Sequence, residues 1–210
     1  FSDAVWAEFE TSQGDVILSK IAAAGCNYRT QKIEVVPAAH SVLAGLVIDP
    51  QGATTVPGLF AAGENVTGIH GAGRLSGNGL TACVVMGRIA GKNASMTART
   101  SPRPNYAPTG AETSDRLDAT MRASLIDAMR KAAGKGLGII RNQSGISAAR
   151  LVFSDIVEKL SAPHHLHPAD QDILQMGILG QLMCDATARR PESRGVQCRE
   201  DAMDTDTKWA

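Results

Sequence analysis

The sequence has little of several features that mark common protein classes. Lys and Arg together number 21, as do Asp and Glu, so the basic excess typical of nucleic-acid binding proteins is missing. Aromatic residues make up 4% of the chain, which leaves few rings for stacking against single-stranded nucleic acid. No apolar run approaches the roughly 18 residues that a membrane-spanning helix needs. We therefore expect no nucleic-acid partner and no membrane span in this sequence, whose hydrophobic content of 43% can fill a core.

Neither the first residues nor the cysteines indicate secretion. Phe1 to Ala4 carry no basic segment followed by an apolar one, so they do not resemble a signal peptide. They also lack an initiator Met, and we expect the chain to begin inside a longer polypeptide. The four cysteines have neither CxxC spacing nor the density of a disulfide scaffold, which predicts reduced, mostly buried thiols in a cytoplasmic protein. They are Cys26, Cys83, Cys184 and Cys198.

A change of composition near residue 100 predicts two parts joined by a linker. Thr97 to Thr113 contains three prolines and no apolar period, and we interpret it as the linker. The first part reads as short strands followed by a helix over Leu80 to Ala94, which is typical of an α/β domain. The helix has Leu80, Val84, Gly87 and Gly91 on one predicted packing face. The predicted strands are Ile33 to Val36, Leu46 to Asp49 with a hairpin return over Ala53 to Val56, and Leu59 to Glu64, which is apolar on both faces.

The second part has helical spacing throughout and predicts a small unit of three helices. Each predicted helix carries one apolar stripe, and Gly134 and Gly136 end the first. The stripes are Leu117, Met121, Leu125 and Met129, then Ile146, Ala149, Phe153, Ile156 and Leu160, then Leu174, Ile178 and Leu182.

The residues most able to carry chemistry lie between the last predicted strand and the first long helix. This glycine-rich loop exposes backbone N–H groups at the positive end of a helix, which suits an anion or an electron-rich ring. Gly71, Gly73 and Ser76 nearly match the GxGxxG fingerprint, but the final Ser and the enclosed Arg make a pyrophosphate cradle a weak interpretation. Glu64 precedes the loop, where a carboxylate can accept hydrogen bonds from a ribose. Arg74 suits capture of a substrate carboxylate, or equally an ion pair with an internal acid.

Several motifs occur together in one order across residues 35 to 92. They are Val36-Pro37-Ala38-Ala39-His40, Gly45-Leu46-Val47-Ile48-Asp49, Val56 to Glu64, His70-Gly71-Ala72-Gly73-Arg74-Leu75 and Asn78-Gly79-Leu80. In this order and spacing the chain resembles the flavoprotein subunit family of succinate dehydrogenase and fumarate reductase, which includes L-aspartate oxidase. The segments Arg190 to Gly195 and Arg199 to Asp201, with Trp209, resemble the C-terminal helical domain of the same family.

The resemblance implies an α/β plus all-α architecture, in which the C-terminal part of an FAD-binding α/β domain precedes a small three-helix domain. Residues 1–34 would form the end of the capping domain and residues 35–96 the C-terminal part of the FAD-binding domain. Residues 97–113 remain the linker, and residues 114–210 would form the helical domain.

The resemblance also assigns a site for FAD and a small dicarboxylate such as fumarate or succinate. His40 and Arg74 would be the catalytic residues and would hold the substrate carboxylates, with the backbone of Gly77 lining the same pocket. On the cofactor side, Glu64 would bind the ribose of FAD, and Ser41 stands where the family usually has Tyr. The amides of Gly79 and Leu80 would face the pyrimidine edge of the flavin. No metal site is implied.

This sequence departs from the family pattern in ways that bear on function. Ala44 replaces one of two paired glycines, Gly73 replaces an Asn, and Gly79 replaces a Ser. The family's GxGxxG turn and its proton-donating arginine are absent, so we expect an N-terminal flavoprotein half, in cis or in trans, to be needed for tight FAD binding. The alternatives are an L-aspartate oxidase-like activity and a non-catalytic assembly role. The resemblance leaves open an iron–sulfur electron-transfer partner, and a cytoplasmic location peripheral to the membrane through partner subunits.

Three weaker features have competing interpretations. His164, His165 and His167 suggest a metal site, but a solvated loop at a helix entry is the favoured interpretation. The charged segment around Glu192 either forms exposed ion pairs or, as the resemblance implies, packs back on the flavoprotein core, and we expect packing because Trp209 would otherwise be exposed. His70 either transfers protons or orders the loop, and we favour the ordering role.

Overall fold

Helices make up most of the part of the chain that the structure describes. This computed structural model describes residues 14–27, 30, 32, 40–100, 116–161 and 166–209. The chain divides into one unit up to His40 and a second from Ser41 onwards. In the first unit, helix α1 covers Gly14–Ala23. The predicted strand at 33–36, the linker beyond residue 100, and His164 and His165 lie outside the described residues.

Short β-bridges organise residues 45–66. The Asp49 carboxylate accepts hydrogen bonds from the backbone N–H groups of Gln51 and Ala53, each at 2.9 Å, and so closes a tight turn. The chain then returns antiparallel to itself, which confirms the predicted turn and hairpin. The bridged pairs are Leu46 with Val66 (parallel), Ile48 with Thr54 (antiparallel) and Ala53 with Phe60 (antiparallel).

The prediction of a buried strand over Leu59 to Glu64 is wrong for the described residues. Leu59 is 44% exposed, Phe60 forms one bridge, and Gly63–Asn65 is a 3₁₀ turn. A strand buried in a sheet needs a neighbour on each side to pair its N–H and C=O groups. In the described part of the chain this segment has a neighbour on one side only, so a continuous strand is not formed.

Helix α2 covers Asn78–Thr100 and is longer than predicted. It includes the first four residues of the predicted linker, because Thr97 to Thr100 contains neither Gly nor Pro and the first proline is Pro102. The helix packs through the face that carries Ala90, which is buried, and Asn93, whose side chain donates to the Gln51 carbonyl at 3.0 Å.

The face of α2 predicted to pack closely is instead exposed. Leu80 is 80% exposed and Val84 is 71% exposed, and Gly87 and Gly91 lie on the same exposed face. The periodicity located an apolar face correctly but not its partner, since residues 45–66 pack on the opposite side around Ala90. No helix within the described ranges is both long and apolar enough to cross a membrane.

The second half forms the predicted three helices, with α3 at Ala119–Gly136, α4 at Gln143–Leu160 and α5 at Gln171–Arg189. Asp118 and Asn142 cap α3 and α4 by accepting hydrogen bonds from backbone N–H groups three residues on. The predicted stripe of α4 is buried throughout and lies at the centre of the core. The core residues are Met129, Ala132, Ile146, Ala149, Phe153, Ile156, Leu160, Ile173 and Cys184.

The predicted stripe of the third helix is wrong. Ile178 is 41% exposed and Leu182 is 61% exposed, while Leu174 only borders the core. Helix α5 instead packs through small residues: a Cβ at Gly180 would lie 2.4 Å from the Phe153 ring, and one at Gly177 would lie 2.9 Å from Val157. The Phe153 ring occupies the space that a larger residue at position 180 would need, so glycine lies at the centre of this contact, and Ile173 is the large residue of α5 that is fully buried.

The last twenty described residues pack mainly against the ends of the helices, so the segment around Glu192 is not an exposed tail, as predicted. Two short parallel strands that the sequence did not predict, β1 (Ile140–Arg141) and β2 (Cys198–Arg199), join this segment to the helical unit. Trp209 lies beside the charged groups of Arg190 and Lys208, with 5.7 and 5.2 Å to the ring centre.

The cysteines are free, as predicted, but they are not mostly buried. Cys184 is buried and Cys198 is half-buried, whereas Cys26 and Cys83 are exposed. Cys83 is exposed because it lies on α2, whose surface is covered only in part by the described residues.

Candidate functional site

The Glu64 carboxylate joins two segments that the sequence assigns to cofactor binding. Its Oε1 atom accepts a hydrogen bond of 3.0 Å from the backbone N–H of Val42, which follows Ser41. The structure therefore brings Ser41 and Glu64 onto neighbouring segments, with both side chains exposed. Among the described residues this is the one hydrogen bond of the Glu64 side chain, so its remaining acceptor capacity is available to a ligand.

Close backbone contact fixes the position of these two segments. Leu46 donates its N–H to the Asn65 carbonyl at 2.8 Å, and the Leu46 carbonyl accepts from Thr67 N–H at 3.0 Å. A Cβ at Gly45 would lie 2.0 Å from the Asn65 carbonyl oxygen, so this position requires glycine. Of the family's paired glycines, the chain keeps the one that this contact needs and replaces the other by Ala44.

Arg74 packs on the amino end of α2. A Cβ built on Gly79 would lie 3.0 Å from Arg74 Nη1 and 3.2 Å from Cζ, so the guanidinium group lies directly over the first turn of the helix. Arg74 is half-buried, and it forms no ion pair or hydrogen bond with any other residue that the structure describes. The alternative in which Arg74 pairs with an internal acid thus has no support in these parts of the chain.

The amino end of α2 presents unpaired donors beside this cation. The N–H groups of Gly79 and Leu80 have no acceptor among the residues described. They combine with the guanidinium and the helix dipole to give a locally positive surface, which favours a negatively charged or electron-rich ligand. Gly77 is exposed immediately before the helix, with a φ of 84°.

The segment carrying Glu64 packs against the same end of α2. A Cβ at Gly63 would lie 3.3 Å from the Cys83 sulfur, which places the Gly63–Asn65 turn on the second turn of the helix. Cys83 follows Gly79 by four residues, or about 6 Å along a helix axis. The described residues thus bring Ser41, Glu64, Gly79 and Leu80 to one end of one helix, with Arg74 at its tip.

The roles assigned to His40 and His70 both stay predictions. His40 is exposed and belongs to the first unit, while the other assigned residues belong to the second. Its role as a substrate ligand stays a prediction. His70 is half-buried in the loop, and its role also stays a prediction.

The resemblance implies that the C-terminal segment packs on the flavoprotein core, but the sequence did not identify its contact with the glycine-rich loop. Val196 donates its N–H to the Ala72 carbonyl at 2.8 Å. The available signal was Gly195, a lone glycine between Arg194 and Val196 in a segment without helical spacing. A contact between residues more than 120 positions apart leaves no local pattern, so only the fold reveals it.

Comparison with known proteins agrees with this geometry. A family model described as an FAD binding domain matches residues 4–80. One subunit of the fumarate reductase (CoM/CoB) of Methanothermobacter marburgensis is 30% identical over 93% of this chain and 38% of its own length. An L-aspartate oxidase of Caulobacter vibrioides is 36% identical over 88% of this chain and 32% of its own length.

Solved structures share the fold. An E. coli quinol fumarate reductase variant superposes with a TM-score of 0.73 and 26% identity, over 95% of this chain and 38% of that one. The Mycobacterium smegmatis Sdh1 complex in the apo form gives 0.75 at 24% identity, over 96% of this chain and 37% of that one, which shows the fold alone. The chain thus spans between 32% and 38% of the length of these relatives. Over that part, this chain belongs to the FAD-containing succinate dehydrogenase and fumarate reductase flavoprotein family.

Proposed function

We propose that this chain is the C-terminal part of an FAD-dependent oxidoreductase that interconverts a small dicarboxylate such as fumarate and succinate. The observation that carries the proposal is the position of Arg74. Its guanidinium group lies over Gly79 at the positive end of α2, without an acidic partner in the described parts of the chain. A half-buried cation beside free N–H donors is suited to a carboxylate ligand.

The residues at this end of α2 fit the FAD of the family. The Glu64 carboxylate is exposed and has free acceptor capacity, as binding of a ribose hydroxyl requires. Ser41 lies on the neighbouring segment and adds a hydroxyl to the cofactor side. The N–H groups of Gly79 and Leu80 would donate to the pyrimidine edge of the flavin, where a helix amino end stabilises negative charge. Bound there, FAD supplies the hydride chemistry at flavin N5.

The residues of this chain would bind and orient the substrate. Arg74 presents two parallel N–H donors to one carboxylate, and the backbone at Gly77 borders the same site. His40 would hold the second carboxylate in the assembled protein. Fixing both ends of a short dicarboxylate aligns its central carbons with the flavin and polarises the double bond, which is a large part of the rate enhancement that positioning can supply.

The exposed face of α2 supports the proposal that more polypeptide completes the site. Leu80 and Val84 are 80% and 71% exposed. Burial of each such side chain would stabilise an assembly by about 1.5–3 kcal/mol. We propose that an N-terminal flavoprotein half, in cis or in trans, covers this face, and that FAD binds tightly only then.

Further partners belong to the same proposal. Solved relatives include the Mycobacterium smegmatis Sdh1 complex and a quinol–fumarate reductase with menaquinol molecules. An iron–sulfur electron-transfer subunit is a partner of matching chemistry, and it would place the chain on the cytoplasmic face, peripheral to a membrane.

An L-aspartate oxidase-like activity is the second candidate. It is favoured by the L-aspartate oxidases of Caulobacter vibrioides and Rhodospirillum rubrum, which are 36% and 31% identical to this chain. Aspartate is also a small dicarboxylate, so Arg74 would serve both reactions. Turnover of fumarate, succinate and aspartate by the flavin-loaded enzyme separates the two candidates.

Replacement of Arg74 by alanine tests the proposal. Loss of a charge-assisted pair of hydrogen bonds costs about 1.5–3 kcal/mol, which corresponds to a decrease in kcat/KM of about 10- to 150-fold. Flavin absorbance reports FAD content, which we expect to stay unchanged. Arg88→Ala is the matched control, because Arg88 is an exposed cation further along the same helix. If Arg74→Ala and Arg88→Ala have equal kinetics, Arg74 is not a substrate ligand and a non-catalytic assembly role is favoured.

A further inference from the structure

The C-terminal segment touches the glycine-rich loop at one closely fitted point. Gly195 has a φ of 58° and lies in a turn whose flanking residues, Arg194 and Gln197, form an antiparallel bridge. A Cβ at Gly195 would lie 2.1 Å from the Ala72 carbonyl oxygen and 2.6 Å from its carbon. Both the backbone conformation and the space therefore require glycine at this position.

The turn that carries Gly195 is firmly attached to the helical unit. Gln197 is 8% exposed, and its side-chain oxygen accepts from Arg141 Nη1 at 2.8 Å, while its Nε2 donates to the Arg190 carbonyl at 3.1 Å. The buried Glu192 carboxylate accepts from Arg194 and from the Asp206 backbone. These bonds hold the turn against the end of α5 and against β1, so a displacement of the turn would break several of them.

The loop itself has little else to hold it. Within residues 70–77, the Ala72 carbonyl accepts from Val196 N–H and the Leu75 carbonyl accepts from Asn78 N–H at 3.2 Å, at the start of α2. Among the described residues, the bond to Val196 is the one hydrogen bond that joins the loop to a segment distant in the sequence. Arg74 follows Ala72 by two residues. The distance of Gly73 from Gly195 is also short, with a Cβ at Gly73 lying 3.8 Å from the Gly195 Cα.

We propose that Gly195 is a positioning residue for Arg74. The turn at Gly195 contacts the loop at Ala72 and fixes the distance between the loop and the amino end of α2. This distance places the Arg74 guanidinium over Gly79. The inference deepens the proposed function, on which it rests, since it gives the helical domain a part in substrate binding. A displacement of about 1 Å in a group that orients substrate can decrease the rate about 100-fold.

The test compares two glycine replacements in the flavin-loaded enzyme that contains this chain. Gly195→Ala pushes on the Ala72 carbonyl. Gly58→Ala is the matched control, because Gly58 has a φ of 83° but open space around its Cα, so it carries the same type of backbone strain without the loop contact. We expect Gly195→Ala to decrease kcat/KM about 10- to 100-fold and Gly58→Ala less than about 2-fold.

A mutant cycle distinguishes positioning from general destabilisation. In an Arg74→Ala background, Gly195→Ala should have no further effect on kcat/KM, because the group that it misplaces is already gone. Independent losses that multiply would overturn the inference. Hydrogen exchange gives a readout without turnover: the two amides that donate to the loop, Val196 to Ala72 and Asn78 to Leu75, should exchange faster in Gly195→Ala, while those of α3 to α5 stay protected.

Two further outcomes are a Gly195→Ala variant that does not fold and an enzyme without the proposed activity. If Gly195→Ala does not fold, Val196→Pro removes the donor to Ala72 at a side chain that is 60% exposed, and the same kinetic change and faster exchange of the Asn78 amide are expected. Unchanged exchange of the Asn78 amide in a folded variant would overturn the inference. If the unmodified enzyme turns over neither fumarate, succinate nor aspartate, the proposed function fails, and the exchange comparison still decides whether the turn supports the loop.

Discussion

Two glycines in the helical unit predict opposite effects of the same substitution. Gly180 on α5 faces the ring of Phe153, which is 3% exposed, whereas Gly134 on α3 is exposed with open space around it. Both lie inside helices, so alanine improves the helix propensity at each by roughly 1 kcal/mol. The difference between the two variants therefore isolates the packing of α5 on α4.

The magnitude follows from the distances. Carbon atoms in contact prefer separations of about 3.5–4.0 Å, and the new Cβ at position 180 would begin 2.4 Å from the Phe153 ring. The ring is surrounded by core side chains and cannot move away without displacing them. Overpacking of this kind costs about 1–3 kcal/mol. With the gain in helix propensity subtracted, we expect Gly180→Ala to lower the free energy of unfolding by up to about 2 kcal/mol. Gly134→Ala should raise it by about 0.5–1 kcal/mol, so the two variants should differ by about 1–3 kcal/mol.

Urea or thermal unfolding of the two variants measures this difference. In a protein of this size, about 1 kcal/mol shifts the midpoint by about 2–4 °C. Phe153→Leu provides the internal check, because a smaller side chain leaves room for the new methyl group and should reduce the cost of Gly180→Ala. Equal stabilities of Gly180→Ala and Gly134→Ala would refute the packing of α4 and α5 through this glycine.

Three further predictions concern charge, thiols and the loop. Burial opposes ionisation of Glu192, but hydrogen bonds from Arg194, the Asp206 backbone and Arg190 outweigh it and lower the pKa from 4.5 to about 2. The stabilisation is thus complete above about pH 5 and is lost as the pH falls towards 2, and Glu192→Gln should flatten that part of a stability profile. Iodoacetamide should modify the exposed Cys26 in the native protein but Cys184 only after unfolding, since burial raises the pKa of the Cys184 thiol; equal rates by mass spectrometry would contradict this. Gly79→Ser should shift the Arg74 guanidinium and raise the KM for a dicarboxylate about 5-fold with FAD content retained, and an unchanged KM would count against that contact.

The sequence predicts helices well where one apolar stripe faces one core. The stripe of α4 from Ile146 to Leu160 is buried as predicted, because that helix lies between α3 and α5 and its larger residues have no other place to pack. The same reasoning is wrong for α5. There the buried face consists of Ile173, Gly177, Gly180, Cys184 and Thr187. Hydrophobicity alone does not identify a face on which one large apolar residue is followed by small or polar ones.

The sheet of the first half was predicted from residues whose pairing depends on other segments. Leu46 and Phe60 each form an isolated bridge, and the apolar face of α2 with Leu80 and Val84 is exposed. An apolar strand or helix face in a sequence indicates that this surface can be buried, but not which other segment covers it. A chain that spans 38% of a related protein shows such surfaces without their counterparts.

The candidate site was likewise predictable from the sequence only in part. Glu64, Gly79 and Leu80 were assigned from motifs, and the structure brings them to one end of α2 because a strand end, a loop and a helix follow each other in the chain. The contribution of Gly195 could not be assigned, because it depends on how the helical unit lies against the loop within the second unit. Local order predicts a site built from consecutive elements, and it does not predict support that comes from a distant segment.

The departures from the family pattern around Arg74 differ in their consequences. An Asn at position 73 would place its Cβ in ordinary contact with Gly195, at 3.8 Å, so the loop could accept it without a shift. A Ser at position 79 would place its Cβ 3.0 Å from the Arg74 guanidinium, a tight contact that a shift of the guanidinium by a few tenths of an ångström would relieve. Glycine at 79 therefore allows the cation to lie closer to the helix end than a Ser would, beside the N–H donors of Gly79 and Leu80. Any difference in substrate preference between this protein and relatives with Ser at that position is accordingly expected to follow residue 79 rather than residue 73.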